Sequence, residues 1–138
     1  MSSPKVMALS EDEAQWLTTR LFTAQDSGLL SSAQALAESF DASRDDWRAL
    51  PAHERGDSSM LLTIYSVAFG ERICREFDLQ WCVVERGADA EIALYDEDQE
   101  LLLYPLATVR RRWEDPAMRP MMDLIEQTRD SLTKGPQR

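Results

Sequence analysis

His53 is the only histidine in the 138-residue chain, and it stands beside Glu54 and Arg55. A Ser-His-Asp or Cys-His nucleophilic site would have to recruit it. No Gly-x-Ser-x-Gly elbow occurs, and neither Cys74 nor Cys82 sits in a recognisable nucleophile motif, so nucleophilic catalysis is disfavoured. The five glycines, at 28, 56, 70, 87 and 135, never cluster to cradle a phosphate. A P-loop and a dinucleotide fingerprint are therefore absent, and no cofactor is expected.

Carboxylates are abundant and consequently poor signals. Asp96, Glu97, Asp98 and Glu100 carry oxygen ligands, but the run lacks the spacing and glycine of a calcium loop and reads as a solvated hairpin tip, not a metal site. Glu71 and Glu76 are five positions apart on a predicted helix and diverge, which weakens an acid/base pair. Charge is distributed unevenly: residues 1–104 hold 8 basic and 20 acidic side chains, a net of -12, whereas residues 105–138 hold 7 and 5, a net of +2. Arg110, Arg111 and Arg112, followed by Trp113, supply much of the basic side. One reading spends these arginines inside the fold, paired with carboxylates and covering apolar surface with their stems. The sharper reading lines a groove with one or two of them beside Trp81 or Trp113, to engage an anionic group on a partner or ligand.

The elements that would position these residues are legible from periodicity. Ser10-Glu11-Asp12-Glu13 has the form of a capping box, and Ala14, Leu17, Leu21 and Ala24 continue a helix until Asp26-Ser27-Gly28 interrupts it. A second helix runs from about Leu29 to Ser39. The polar stretch 41–57, with Pro51 and Gly56, reads as a connector with at most a helical turn around Asp45 to Leu50. Asp57-Ser58-Ser59 supplies N-cap candidates for the strongest helix, Ser59 to Phe77, whose apolar band is wide enough for the spine of the fold. Gly70 in its middle costs about 1 kcal/mol relative to Ala and marks a close approach of another segment.

After Phe77 the period changes to 2. Strands are expected at Leu79 to Glu85, Ala90 to Tyr95 and Glu100 to Tyr104, the first two joined by a turn at Arg86 to Asp89 and the third ended by Pro105. A short segment from Leu106 to Glu114 and a last helix from about Pro120 to Leu132 complete the chain, with Pro116 and Pro120 at or before that helix's first turn. The expected fold is thus α+β: N-terminal helices, a three-stranded antiparallel β-meander packed on a long central helix, and a C-terminal helix. The whole, residues 1–138, reads as a single domain with frayed ends at 1–9 and 134–138.

Composition bounds what such a domain does. Hydrophobic residues make up 43% of the chain and charged residues 29%, enough apolar material for a real core. A formal net charge of -10 repels phosphate backbones and anionic lipid surfaces, which excludes nucleic acid and membranes as main partners. No apolar run approaches a membrane span or a secretory leader. The two cysteines make neither a disulfide framework nor a zinc set, read as buried apolar positions, and fit a reducing cytoplasm.

Between Leu61 and Trp113 the chain carries Phe69-Gly70-Glu71-Arg72-Ile73, then Leu79-Gln80-Trp81, a hairpin at Gly87, Tyr104-Pro105 and the arginines 110–112. This order resembles the bacterial family known as domain of unknown function 3806. The resemblance implies the α+β order already derived, brings no activity with it, and highlights Gly70, Glu71, Trp81, Pro105 and Arg111.

Together these readings favour a small acidic cytoplasmic, non-enzymatic module that binds another protein, one of basic character, as an inhibitor, immunity-type or adaptor protein does. The alternative is a small-molecule binder or weak enzyme with a polar pocket near Glu71, Trp81 and Arg111. A third reading is a homo-oligomer paired through a strand edge or a Met121/Met122 surface. The candidate site residues are Glu71, Trp81, Arg110, Arg111, Arg112 and Trp113.

Overall fold

The computed structural model describes residues 5–98 and 100–134. Helix α1 (Glu11–Asp26) opens on the expected capping box: the Ser10 hydroxyl accepts from the Glu13 amide at 3.1 Å, and the Glu13 carboxylate accepts from the Ser10 amide at 2.7 Å. Two amides that the first turn leaves without helical partners are satisfied in this way. Helix α2 (Ala33–Ala49) starts later than expected, at an N-cap formed by Ser32, whose hydroxyl accepts from the Ala35 amide. Leu29 and Leu30 belong instead to the buried turn before it.

The larger correction concerns the far end of α2, which runs through the first half of the expected connector 41–57. Phe40, Arg44 and Trp47 continue the inward face begun by Leu36 and Ala37, and Arg44 is only 2% exposed. A guanidinium at a core-facing position reads as surface in hydropathy, and that disguises the last two turns of the helix. The connector proper is residues 50–58, with one 3-10 turn at Ala52–Glu54.

Helix α3 (Ser59–Phe77) is the spine. Asp57, rather than Ser58, meets its first turn: one Asp57 oxygen accepts both the Ser59 amide at 2.9 Å and the Ser59 hydroxyl at 2.6 Å. Those bonds, the hydroxyl's foremost, hold the Asp57 carboxyl below its ordinary range. Strands β2 (Gln80–Arg86), β3 (Asp89–Asp96) and β4 (Leu101–Leu103) then form the expected antiparallel meander. The β2–β3 hairpin closes on Gly87–Ala88, with Gly87 at φ 62°, a sign that glycine adopts freely at the first position of a two-residue loop.

The sheet has a fourth strand. Lys5–Met7, within the segment expected to fray, forms β1 and pairs antiparallel with β2, Val6 opposite Val84. Three residues are too few to show an alternation, so only the waiting edge of β2 makes them a strand. The order is β1-β2-β3-β4. At the other end Lys134 closes the last helix; residues 1–4 and 135–138 of the expected frayed ends lie outside the described residues.

Pro105 ends the strand run as expected, and it also opens helix α4 (Pro105–Glu114), where the missing N–H costs nothing. The segment 106–114 is therefore a helix. Helix α5 (Met121–Lys134) follows a turn containing Pro116 and Pro120. The main core gathers all five helices, α1 through Ala24 and Leu21, and one face of the sheet. At its centre Phe40 stands edge-on to both Tyr65 and Trp113, at 5.4 and 5.5 Å between ring centres.

Two features lock this arrangement. At Gly70 a Cβ would lie 2.8 Å from Trp81 Cζ2, closer still to Cη2, and 3.1 Å from Pro105 Cγ, so α3, β2 and α4 meet where only glycine fits. On the opposite side of the core, polar residues of α2 bind the α4–α5 corner. Arg44 donates to the carbonyls of Arg112, Met118 and Arg119 at 2.9–3.0 Å, Arg48 to that of Trp113, and Asp41 accepts from the Met121 amide at the start of α5.

Two stability predictions follow from these contacts. Gly70→Ala gains helix propensity but overpacks the Trp81 and Pro105 contact, so urea unfolding should show a net loss of about 1–3 kcal/mol. An unchanged or raised midpoint contradicts the close approach. Arg44→Met preserves apolar bulk but strands three inward carbonyls, and the expected loss is larger, about 3–5 kcal/mol. A loss under about 1 kcal/mol would show that water replaces the guanidinium without penalty.

Candidate functional site

Four of the residues marked out by sequence meet at one junction. The Trp81 indole lies across Gly70 and against Pro105, and its N–H donates to Glu71 Oε1 at 3.0 Å. The other Glu71 oxygen accepts from Arg75 Nε at 2.8 Å. Both oxygens of Glu71 are thereby engaged, and the indole fills the space a ligand would need. Arg111 is not part of this junction. It sits on α4 and lines a separate cleft, whose lining includes neither Glu71 nor Trp81.

That cleft, of about 480 Å³, opens between α4 and α5. Thr108, Arg111, Arg112 and Asp115 line it from α4 and its C-cap, at spacings that place them along one helical face. Arg119 enters from the turn, and Leu124 and Gln127 from α5. Asp115 organises the mouth: it accepts from Arg119 Nε at 2.8 Å and from the Ala117 amide at 2.9 Å, and these two bonds hold its carboxyl below the usual range. Arg112 is 7% exposed and reaches Asp115 only at 3.9 Å. Burial, with Arg119 nearby, lowers its proton affinity from the ordinary arginine value.

The remaining candidates separate. Arg110 is exposed on α4 and lies outside the cleft lining. Trp113 is 1% exposed and belongs to the core between Phe40 and Trp47, so it faces no groove. Met121 is fully buried as well, which removes half of the expected Met121/Met122 surface. Thr108, Asp115, Arg119 and Gln127 were not singled out in the sequence. The available signal was the helical spacing of Thr108 and Asp115 about Arg111 and Arg112, visible only once 106–114 is read as a helix.

The reactive side chains stay apart. His53 lies on the exposed 3-10 turn, its Nε2 3.9 Å from Glu54 Oε1. Cys74, half-buried in α3, donates to the Leu79 carbonyl, and burial, aided by Glu71 and Asp78, pushes its thiol up to about 11. Cys82 is buried in β2 and also raised by burial. Both thiols therefore stay protonated at neutral pH, which suppresses nucleophilicity. Glu76 binds Arg129 of α5 through two bonds of 2.8 and 3.0 Å and is not paired with Glu71. At the acidic tip the Asp98 amide donates to Asp96, and Gln99 lies outside the described residues. Among the described residues no three His, Cys, Asp or Glu side chains gather as metal ligands, and no helix is long and apolar enough to cross a membrane.

A second apolar cluster lies on the outer face of the sheet. By register, Val6, Cys82, Val84, Ala93, Tyr95 and Leu102 all point away from the helices. The buried members Cys82, Val84 and Ala93 are covered by Tyr95, Leu102 and Tyr104, so the cluster is built from the sheet and the residue after it. Arg86 crosses this face, its guanidinium 4.8 Å from the Tyr104 ring centre and donating to the Tyr104 hydroxyl.

No curated protein and no solved structure matches the chain. A family model described as "Domain of unknown function (DUF3806)" does match, over residues 46–121, more than half of the length. The matched span holds the Gly70, Glu71, Trp81 and Pro105 junction together with Arg111, Arg112 and Arg119, and on that match this chain belongs to the DUF3806 family.

Proposed function

We propose that this domain is a non-enzymatic binding module that receives another protein, one presenting basic side chains, on the outer face of its sheet. The observation that supports the reading is the second apolar cluster. Tyr95, Leu102 and Tyr104 are half-exposed there, Val6 is 37% exposed next to Val84 on the same face, and among the described residues no helical residue contributes to the cluster. Apolar surface of this kind, rimmed by charge, is what protein interfaces use at their centre.

The rim supplies the specificity. Asp89 and Glu91 stand at one end of the face, and Glu97, Asp98 and Glu100 are exposed near the other. Added to a chain charge of -10, this rim steers basic partners and repels acidic ones. Strand β4 pairs only with Leu94 to Asp96, so the β3 edge from Asp89 to Ala93 has no partner strand among the described residues. A groove of about 300 Å³, lined by Val84, Arg86, Asp89, Ala90 and Glu91, runs beside that edge. An extended basic segment of the partner fits there by strand addition.

The test compares proteins retained from native lysate by the wild-type domain with those retained by Val6→Glu and Leu102→Glu, each first shown to be folded by circular dichroism. A specific partner should be held at low salt, released as salt rises, and lost with both variants. Retention unchanged by both substitutions, or strengthened by salt, refutes the sheet face as the docking surface.

A further inference from the structure

We propose that the α4–α5 cleft binds a small organic monocarboxylate, its two oxygens on the guanidinium groups of Arg111 and Arg112 and its carbon chain against Leu124 and Pro116. The site is separate from the sheet face and does not rest on the protein-binding reading.

The first support is Arg112. Among the described residues five arginines, at 20, 44, 48, 72 and 112, carry a buried nitrogen without a hydrogen-bond partner. Four of them donate another nitrogen to a backbone carbonyl. Among the described residues Arg112 donates to none, although it is only 7% exposed, and the anion it pairs with, Asp115, is at 3.9 Å and already bonded to Arg119. A buried guanidinium without a hydrogen bond is costly, and the cleft it lines is where an acceptor fits.

Arg111 is the second support. It lines the same cleft, is exposed, and among the described residues has no ion-pair or hydrogen-bond partner. Two guanidinium groups that line one cleft offer donors to a planar, two-oxygen anion seated between them. The hydroxyl of Thr108 and the amide of Gln127 add neutral donors on either side.

Charge and polarity narrow the ligand. Arg111, Arg112 and Arg119 face Glu114 and Asp115, leaving one unit of positive charge in the lining. A monocarboxylate balances it, whereas a dianionic phosphate leaves an excess negative charge beside two carboxylates. Leu124 and Pro116 give the cleft an apolar wall, which favours an acid with a hydrocarbon chain over a bare oxyanion. The volume of about 480 Å³ lies within the range of small-ligand sites.

The experiment is a titration of the full chain, followed by amide shifts in two-dimensional NMR, with acetate, butyrate, hexanoate, the neutral analogue hexanamide and inorganic phosphate. Hexanoate should move the resonances of Thr108, Arg111, Arg112 and Gln127 saturably, with affinity rising from acetate to hexanoate and hexanamide inactive. Arg111→Gln, at an exposed position with no partner to lose, keeps the fold and should weaken hexanoate at least about tenfold. Pro116→Ser should flatten the dependence on chain length. The proposal is overturned by any one of these results: no saturable shifts at the cleft with hexanoate, phosphate binding more tightly than hexanoate, hexanamide matching it, or Arg111→Gln binding unchanged. A peptide with a free C-terminal leucine binding more tightly than hexanoate also overturns it, assigning the cleft to a chain terminus.

Discussion

The carbonyls at the end of a helix have no helical donors, and a corner between two helices concentrates such groups where the core is also trying to close. In this domain the corner between α4 and α5 is satisfied from outside, chiefly by the guanidinium of Arg44. Arg44 donates Nη1 to the carbonyls of Arg112 and Arg119 and Nη2 to that of Met118, while buried at 2% exposure. The turn passes Met118 at φ 51° and is held locally by Asp115, whose carbonyl accepts from the Met118 amide at 2.9 Å and whose carboxylate accepts from the Ala117 amide, and Arg44 adds a hold across the core from α2. Arg48 repeats the device on Trp113, and Asp41 takes the opposite charge, accepting from the first amide of α5 where an anion is favoured.

The same constraint shapes the cleft. Arg44 holds the carbonyl of Arg112, which fixes the backbone of the last turn of α4. Arg119, whose carbonyl is also held by Arg44, turns its own side chain to Asp115. Asp115 is thereby committed to Arg119, and Arg112 is left at the longer distance. The Arg112 guanidinium in the cleft and the bonds that hold the corner behind it thus belong to the same helix end.

Legibility divided along the kind of interaction involved. The capping box at Ser10 and Glu13 is local and chemical, and it forms as the spacing predicts. Gly70 is also legible, because a glycine kept inside an otherwise strong helix has few reasons to be there, and Trp81 with Pro105 supplies the reason. Long-range use of polar groups is invisible to such reading. Asp41, Arg44 and Arg48 lie at helical spacing, but their partners are backbone carbonyls and an amide some seventy residues away, which no pattern announces, so the segment looks like a polar connector. β1 fails for a related reason: three residues acquire strand geometry only from the edge they pair with. Glu71 and Trp81 share no cleft with Arg111, although the family resemblance highlights all three. Helix α4 carries Arg111 away from them, because Pro105 begins a helix rather than merely ending a strand.

The division into a -12 body and a +2 tail suggests that the two halves are held by pairing between opposite charges. The structure distributes the work differently. Arg129 does cross to Glu76 of the spine helix, but Arg112 and Arg119 both look to Asp115, inside the tail. The more numerous crossings run in the other direction, from Arg44 and Arg48 of the acidic body to uncharged carbonyls of the basic tail. Cations bound to carbonyls do not consume carboxylates. The body consequently keeps its exposed acids at the sheet rim, and the tail keeps Arg111 uncommitted. An overall charge of -10 thus leaves two surfaces of opposite character on one small domain, because backbone carbonyls, rather than the surplus acids, take up Arg44 and Arg48.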